Sequence, residues 1–272
     1  MTTEPSWLTK LRRRWRRATA PPARSLPGVI GRVHVNDSML YDESEQAVAD
    51  YLRAGRSALD NIEKALRSSA KTFAEVETCL DFGCGYGRVL RQLQEQIPAA
   101  KITASDAVEE GVRFCAEEFG ARPLVSSWNV DEIRLGIYDL IWSGSVFTHL
   151  DEASCETLFG KLGHSLMPSG GVLVFSIHGQ YSLDGLATFY GKAYAEEADQ
   201  ICREVADAGI CFRRYTDESY GRFPVPYGMT WHRPDYFERL AAERFGDRLQ
   251  LTMWEAHGWD LHHDVLAFQR TH

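Results

Sequence analysis

No apolar run in these 272 residues approaches the roughly 20 needed to span a bilayer, and the N-terminus has no apolar segment of a secretory signal. A soluble, cytoplasmic chain is the expectation. Cysteine is sparse: Cys79, Cys84, Cys115, Cys155, Cys202 and Cys211 include no CxxC pair. That scatter fits reduced thiols in a core, against a disulfide frame or a zinc ribbon. Internal repeats are absent, as are low-complexity tracts beyond the first 25 residues, and the length is too short for two full-sized domains, so one main core is expected. Charge is lopsided. Residues 1–25 hold seven Lys and Arg against one Glu, leaving 23 basic against 37 acidic residues in the remainder. A body of that sign repels phosphate backbones, which disfavours a nucleic-acid partner.

The arm, residues 1–25, gathers Trp7, Leu8, Leu11 and Trp15 on one side of an Arg-rich helical wheel. It reads as a peripheral membrane anchor over residues 1–22 or as a solvated tail ended by Pro21 and Pro22. From Asp42 to about Arg67, Val48, Tyr51, Leu52, Leu59, Ile62 and Leu66 recur at helical spacing, so residues 26–73 are expected to form a helical cap. Short apolar segments then alternate with amphipathic ones: ETCLDFGC, helical RVLRQLQEQ, KITASD, helical EEGVRFCAEEF, ARPLVSS, YDLIWSGSVF, helical ASCETLFGKLGHSLM and GGVLVFSIH. That rhythm predicts an α/β domain over residues 74–272, a parallel sheet with helices on both faces. Residues 179–230 interrupt it with a helical and aromatic insertion. It resumes with Pro234, the helix DYFERLAAERF, the strand RLQLTMWEA, a Gly258-Trp259 turn and the strand DVLAFQR. The last connection is too short for a parallel crossover, so the final strand should run antiparallel.

Leu80-Asp81-Phe82-Gly83-Cys84-Gly85-Tyr86-Gly87-Arg88 joins a predicted strand to a predicted helix. Glycines at alternate positions allow a tight turn and let a ligand meet the backbone. The next strand ends in Asp106, placed where a carboxylate can accept both hydroxyls of a ribose. A dinucleotide site would read G-x-G-x-x-G and bring a pyrophosphate to the helix end, where Asp81 would repel it. An ammonium-bearing ligand, such as the amino-acid end of S-adenosylmethionine, suits that carboxylate.

On these residues the chain resembles the class I S-adenosylmethionine-dependent methyltransferases, whose D-x-G-x-G-x-G signature is matched by Asp81, Gly83, Gly85 and Gly87. The resemblance covers roughly residues 74–178 and, more weakly, 230–270. It implies a Rossmann-like seven-stranded sheet in the order 3-2-1-4-5-7-6 with the seventh strand antiparallel. It also implies S-adenosyl-L-methionine as cofactor, held by Asp81, Gly83, Cys84, Gly85, Gly87, Asp106, Ala107, Trp128, Asn129 and Ser143. Where many relatives place an acidic residue after the third strand, this chain reads Ser126-Ser127-Trp128-Asn129. Asn129 or a serine is expected to bond the adenine, with Trp128 either on the ring or in the core. GCGYGRVLR, GWDLHHDVLAFQR and the cap also resemble a bacterial subgroup associated with glycan modification.

Methyl transfer to a hydroxyl needs the acceptor placed in line, water excluded and a proton removed. In an open α/β sheet the crevice lies at the carboxyl ends of the strands. His149 follows the fourth strand and His178 ends the fifth, and His263 belongs to a further group with His257, His262 and Asp264. His149, His178 and His263 are the candidate bases, against the plainer roles of helix caps, braces and surface turns. Asp139, Asp151 and Glu152 make no recognisable ligand set, so no metal is expected. The insertion's Tyr181, Phe189, Tyr190, Tyr194, Phe212, Tyr215, Tyr220, Phe223, Tyr227 and Trp231 either cover an acceptor pocket or form a small core of their own. Arg233 at its exit either meets an acidic acceptor or is solvated. The leading expectation is O-methylation of a small molecule or sugar. N- or C-methylation and a scaffold without turnover remain alternatives, and an oxidoreductase is disfavoured by the glycine spacing.

Overall fold

The structure is a computed structural model and describes residues 23–215 and 223–271. The arm over residues 1–22, and Tyr220, lie outside the described residues. Ala23–Ser25 (β1) pairs antiparallel with Arg32–His34 (β2), so the arm cannot extend to residue 25 and the cap is not wholly helical. The buried Arg91 guanidinium ties this ribbon down, donating to the Ile30 and Arg32 carbonyls and, on its other side, to Gly87 O. It also packs over the rings of Tyr51 and Phe119.

One continuous helix, Glu45–Ser68 (α1), follows. Ser44 starts it by accepting from the Ala47 N–H, and its apolar stripe buries Tyr51, Leu59, Ile62 and Leu66. Beyond it the chain builds a seven-stranded sheet from Cys79–Phe82 (β3), Ile102–Asp106 (β4), Arg122–Val125 (β5), Leu140–Ser143 (β6), Val172–Ile177 (β7), Leu249–Trp259 (β10) and His263–Arg270 (β11). Its order is β5-β4-β3-β6-β7-β11-β10, the sequence expectation strand for strand. Strands β3 to β7 pair in parallel, and β11 runs antiparallel to both β7 and β10.

β3, β6 and β7 are buried along their whole length, as strands covered on both faces must be. On one face Phe147, Phe159, Phe175, Phe237 and Phe268 pack together. On the other, Ile62, Leu66, Leu90, Trp142, Trp259 and Val265 bring α1 down onto the sheet. Glu109–Phe119 (α3) spans the predicted segment and stops at Gly120, which takes a left-handed φ of 77°. RVLRQLQEQ shrinks to a four-residue helix, Leu90–Leu93 (α2), flanked by tighter turns in which Gln92 and Glu95 donate three residues back.

After β7 come three short helices, Gln180–Asp184, Leu186–Phe189 and Lys192–Glu196, then the helix Ala198–Ala208, then Ile210–Arg214 (β8) paired antiparallel with Gly228–His232 (β9). This insertion has its own core of Leu186, Tyr190, Ile201, Val205 and Trp231. Between β10 and β11 the turn lies at Asp260–His262, where Asp260 and Leu261 take positive φ, and the expected Gly258-Trp259 turn is the end of β10 instead. Among the described residues no helix is long and apolar enough to cross a membrane.

Candidate active site

A cleft of about 340 Å³ opens at the carboxyl ends of the parallel strands. Asp81, Gly83, Cys84 and Gly85 line it from the turn after β3, and Asp106 and Ala107 from the end of β4. The Gly83 and Cys84 N–H groups donate to Ser105 O at 2.8 and 3.0 Å, which holds the turn against β4. Gly83 and Gly85 take positive φ of 80° and 52°. A Cβ on Gly83 would strike Val146 at 2.4 Å, whereas one on Gly85 would meet nothing within 4 Å, so the backbone there is open to a ligand.

The two carboxylates differ in occupancy. Asp106 accepts from the Gly85 N–H at 2.9 Å and the Val108 N–H at 2.8 Å. Burial still raises its carboxyl above the ordinary range, against those backbone bonds. Asp81 is buried with its Oδ2 bonded to nothing, and burial, helped by the nearby Asp106 charge, pushes its carboxyl up to about 7. A bare carboxylate in that position is costly and asks for a cation. The ammonium of an amino-acid moiety answers it, while Asp106 and the open Gly85 backbone suit a ribose. Ser126 Oγ, also buried without a partner, borders the same cleft. These orphaned atoms make the cleft a fit for S-adenosylmethionine.

Of the remaining residues expected at the cofactor, Trp128 borders the cleft, with its ring 5.4 Å from Phe223 and 5.8 Å from Tyr227, so it is not core. Gly87, Asn129 and Ser143 do not line the cleft. Gly87 packs under α3, where a Cβ would meet Phe119 at 2.7 Å. Asn129 faces its own turn, accepting from the Asp131 N–H and donating to Glu132. Ser143 ends β6 fully buried, with its hydroxyl unpartnered.

The histidines separate as well. His149, on a single turn at Phe147–His149, borders the cleft. Its Nδ1 lies 2.8 Å from Gly228 O and its ring stacks on Tyr227 at 5.0 Å, so the N–H is on Nδ1 and the lone pair on Nε2. Burial holds this imidazole below its ordinary pKa. His178 and His263 are buried and do not line the cleft. The group of His257, His262, His263 and Asp264 is split by the alternation of β11: Asp264 accepts from Trp254 Nε1 and the His257 N–H, while His263 turns to the other face. Arg233 pairs with Asp235 at a helix start and does not meet the cleft.

Sequence reasoning missed several parts of the wall. Asp37, Ser38 and Met39 reach it from the N-terminal segment, with Asp37 held by the Tyr51 hydroxyl at 2.8 Å. Val225 reaches it from the insertion, Trp259 from β10, and Ser145, at a positive φ of 58°, from the turn after β6. Tyr227, one of the aromatics that the insertion's composition singled out, lines it as well.

Residues 80–173 match a family model described as a methyltransferase domain. Those residues are a methyltransferase domain, set on the seven-stranded sheet described above. The malonyl-[acyl-carrier protein] O-methyltransferase of Bacillus anthracis is 29% identical over 120 residues, 43% of this chain and 44% of that protein. The match thus spans less than half the length of that curated relative. CalS10, an amino pentose methyltransferase of Micromonospora echinaspora with S-adenosylmethionine bound, superposes with a TM-score of 0.53 at 14% identity, over 84% of this chain and 96% of that one. The magnesium protoporphyrin IX methyltransferase of Synechocystis PCC 6803, with S-adenosylhomocysteine bound, gives 0.52 at 13% identity, over 85% and 90%. At such identities the likeness carries the fold, and S-adenosylmethionine is the cofactor of that class.

Proposed function

We propose that the protein transfers the methyl group of S-adenosylmethionine to a hydroxyl of a small molecule or sugar, with His149 accepting the hydroxyl proton. One observation carries the reading: among the three candidate histidines only His149 shares a cleft with Asp81, Gly85 and Asp106. The cofactor, when bound, supplies an electrophilic methyl group. Asp81 would hold its ammonium, and Asp106 its ribose. Gly228 O holds the His149 ring by Nδ1, which leaves Nε2 to take a proton, and burial keeps the ring neutral and able to do so. Tyr227, Trp128 and Phe223 form an aromatic rim suited to a sugar face or a flat metabolite. CalS10, which acts on an amino pentose, falls within that acceptor range.

Titration calorimetry with S-adenosylhomocysteine and, separately, NADH tests the cofactor. Micromolar binding of the first that disappears in Asp106→Ala supports the reading, and binding of NADH in its place overturns it. A screen with radiolabelled S-adenosylmethionine against sugars and hydroxylated metabolites then tests the acceptor, and label recovered only on nitrogen would sink the hydroxyl assignment.

A further inference from the structure

One side-chain layer away from the cleft, three imidazoles from two distant parts of the chain converge. His178 ends β7, and His262 and His263 form the end of the last hairpin turn and the start of β11. The ring of His263 lies 4.7 Å from that of His178 and 4.4 Å from that of His262, edge-on to both, while His178 and His262 stack at 5.6 Å. One nitrogen from each ring can be chosen so that all three lie within 4.8 Å of one another.

Each ring is oriented from outside by an oxygen on Nδ1. His178 Nδ1 lies 3.0 Å from Thr230 O, His262 Nδ1 lies 2.7 Å from Asp260 O, and His263 Nδ1 lies 3.0 Å from Ser176 Oγ. The two backbone carbonyls are acceptors only, so they place the N–H of His178 and His262 on Nδ1 and turn Nε2 into the lone-pair nitrogen. An oxygen holding one ring nitrogen while the other ligates is the arrangement that orients and strengthens histidines as metal ligands. No carboxylate joins the trio among the described residues, the nearby Asp264 being committed to Trp254 and His257.

We propose that His178, His262 and His263 form a three-imidazole site for a divalent transition ion, zinc foremost, with a fourth position left to a water or substrate oxygen. An all-nitrogen, uncharged donor set selects zinc, cobalt, nickel or copper over magnesium and calcium, which require oxygen. Three protein ligands with an open position is the pattern of reactive zinc, as opposed to the closed four-ligand structural kind. Zinc–nitrogen bonds of about 2.0–2.1 Å would draw the nitrogens in by on the order of 1 Å, a movement within reach of small ring rotations. The site is wired to the cleft: the Ser145 N–H, on the cleft wall, donates to Ser176 Oγ at 2.8 Å, and Ser176 in turn holds His263. Trp259, another wall residue, packs edge-on against His263 at 5.2 Å.

The experiment uses untagged full-length protein stripped with a chelator and titrated with Co²⁺, followed by visible absorption, then with Zn²⁺ in competition. The expected result is one Co²⁺ per chain with the intense bands of a four- or five-coordinate ion, erased by one equivalent of Zn²⁺. His262 is half-buried at a turn, so His262→Ala should fold, as its melting curve will verify, and it should weaken Zn²⁺ binding about 100-fold or more. His257→Ala, in the same hairpin but outside the trio, should leave the affinity within about threefold. Absence of stoichiometric Co²⁺ binding, or equal affinity in His262→Ala and wild type, overturns the site. S-adenosylhomocysteine binding by the stripped protein is measured in parallel. Its survival when metal binding fails rejects the metal site alone, and its failure rejects the cofactor reading independently.

Discussion

Gly111 of α3 and Gly85 of the cofactor turn touch so closely that a Cβ on Gly111 would stand 2.3 Å from the Gly85 carbonyl oxygen. The first turn of the helix is thus pressed against the loop whose open backbone receives the ligand. Gly111→Ala must push that loop outward, at an overpacking cost of about 1–3 kcal/mol. We expect the melting temperature to fall and the S-adenosylhomocysteine dissociation constant to rise by about tenfold. An alanine variant that binds as tightly as wild type would show that the loop's position does not matter to the ligand.

Asp81 makes cofactor binding a proton-releasing event. With its carboxyl at about 7 in the empty protein, it is largely protonated at pH 6. An ammonium seated beside it would stabilise the ionised form and expel the proton. Calorimetry of S-adenosylhomocysteine in two buffers of different ionisation enthalpy should show proton release at pH 6 that fades by pH 8, with Asp81→Asn releasing none from this site. The same shift has a stability consequence. A carboxyl raised in the folded state favours folding at low pH, and that contribution is lost as pH rises from the ordinary 3.8 through about 7. Asp81→Asn should therefore stabilise the ligand-free protein more at pH 8 than at pH 5.

His149→Gln should leave S-adenosylhomocysteine affinity within about twofold and lower methyl transfer to the acceptor by about 10²–10⁴-fold, the range for loss of a general base. Because burial holds the imidazole below 6.5, the acid limb of the wild-type rate profile should lie below that value. Full activity in the glutamine variant would remove the base from His149.

His232 is wholly buried, with Nδ1 unpartnered and Nε2 3.6 Å from Cys155 Sγ, and burial drives its pKa down to about 3. The unfolded chain therefore takes up a proton that the folded one refuses. Stability should decline as pH falls from 6.5 towards about 3, by an amount on the order of a few kcal/mol from this ring. Urea unfolding of chelator-treated protein across that range should be visibly flatter in His232→Phe. Parallel slopes in variant and wild type would place the acid sensitivity elsewhere.

What the sequence made legible was local. The turn from Asp81 to Gly85, Asp106 one strand later and the span of α3 depend on neighbours within a few residues, and period and glycine spacing encode those directly. Gly87, Asn129 and Ser143 do not line the cleft, because a motif fixes position along the chain but not the direction a side chain faces. Asp37 borders a cleft whose glycine turn comes more than 40 residues later, and across roughly 80 residues of chain Tyr227 meets His149, and His178 meets His262 and His263. Only the folded sheet, by setting β7 beside β11, brings that last group together. The insertion's aromatics were ambiguous for a related reason: Tyr190 and Trp231 turn into its own core while Tyr227 turns to the cleft, a division that composition does not contain.

The Arg91 guanidinium bears on what can be cut away. Its acceptors are carbonyls of a ribbon that precedes the family-matched stretch by some fifty residues, and its remaining bond holds the backbone of the glycine turn. A chain that kept the helix carrying Tyr51 but lost the ribbon would leave this guanidinium short of two acceptors directly beneath the glycine turn, a defect costing about 3–5 kcal/mol. The ribbon is therefore no detachable ornament, and a trimmed chain that keeps these bonds starts at least as early as Ile30.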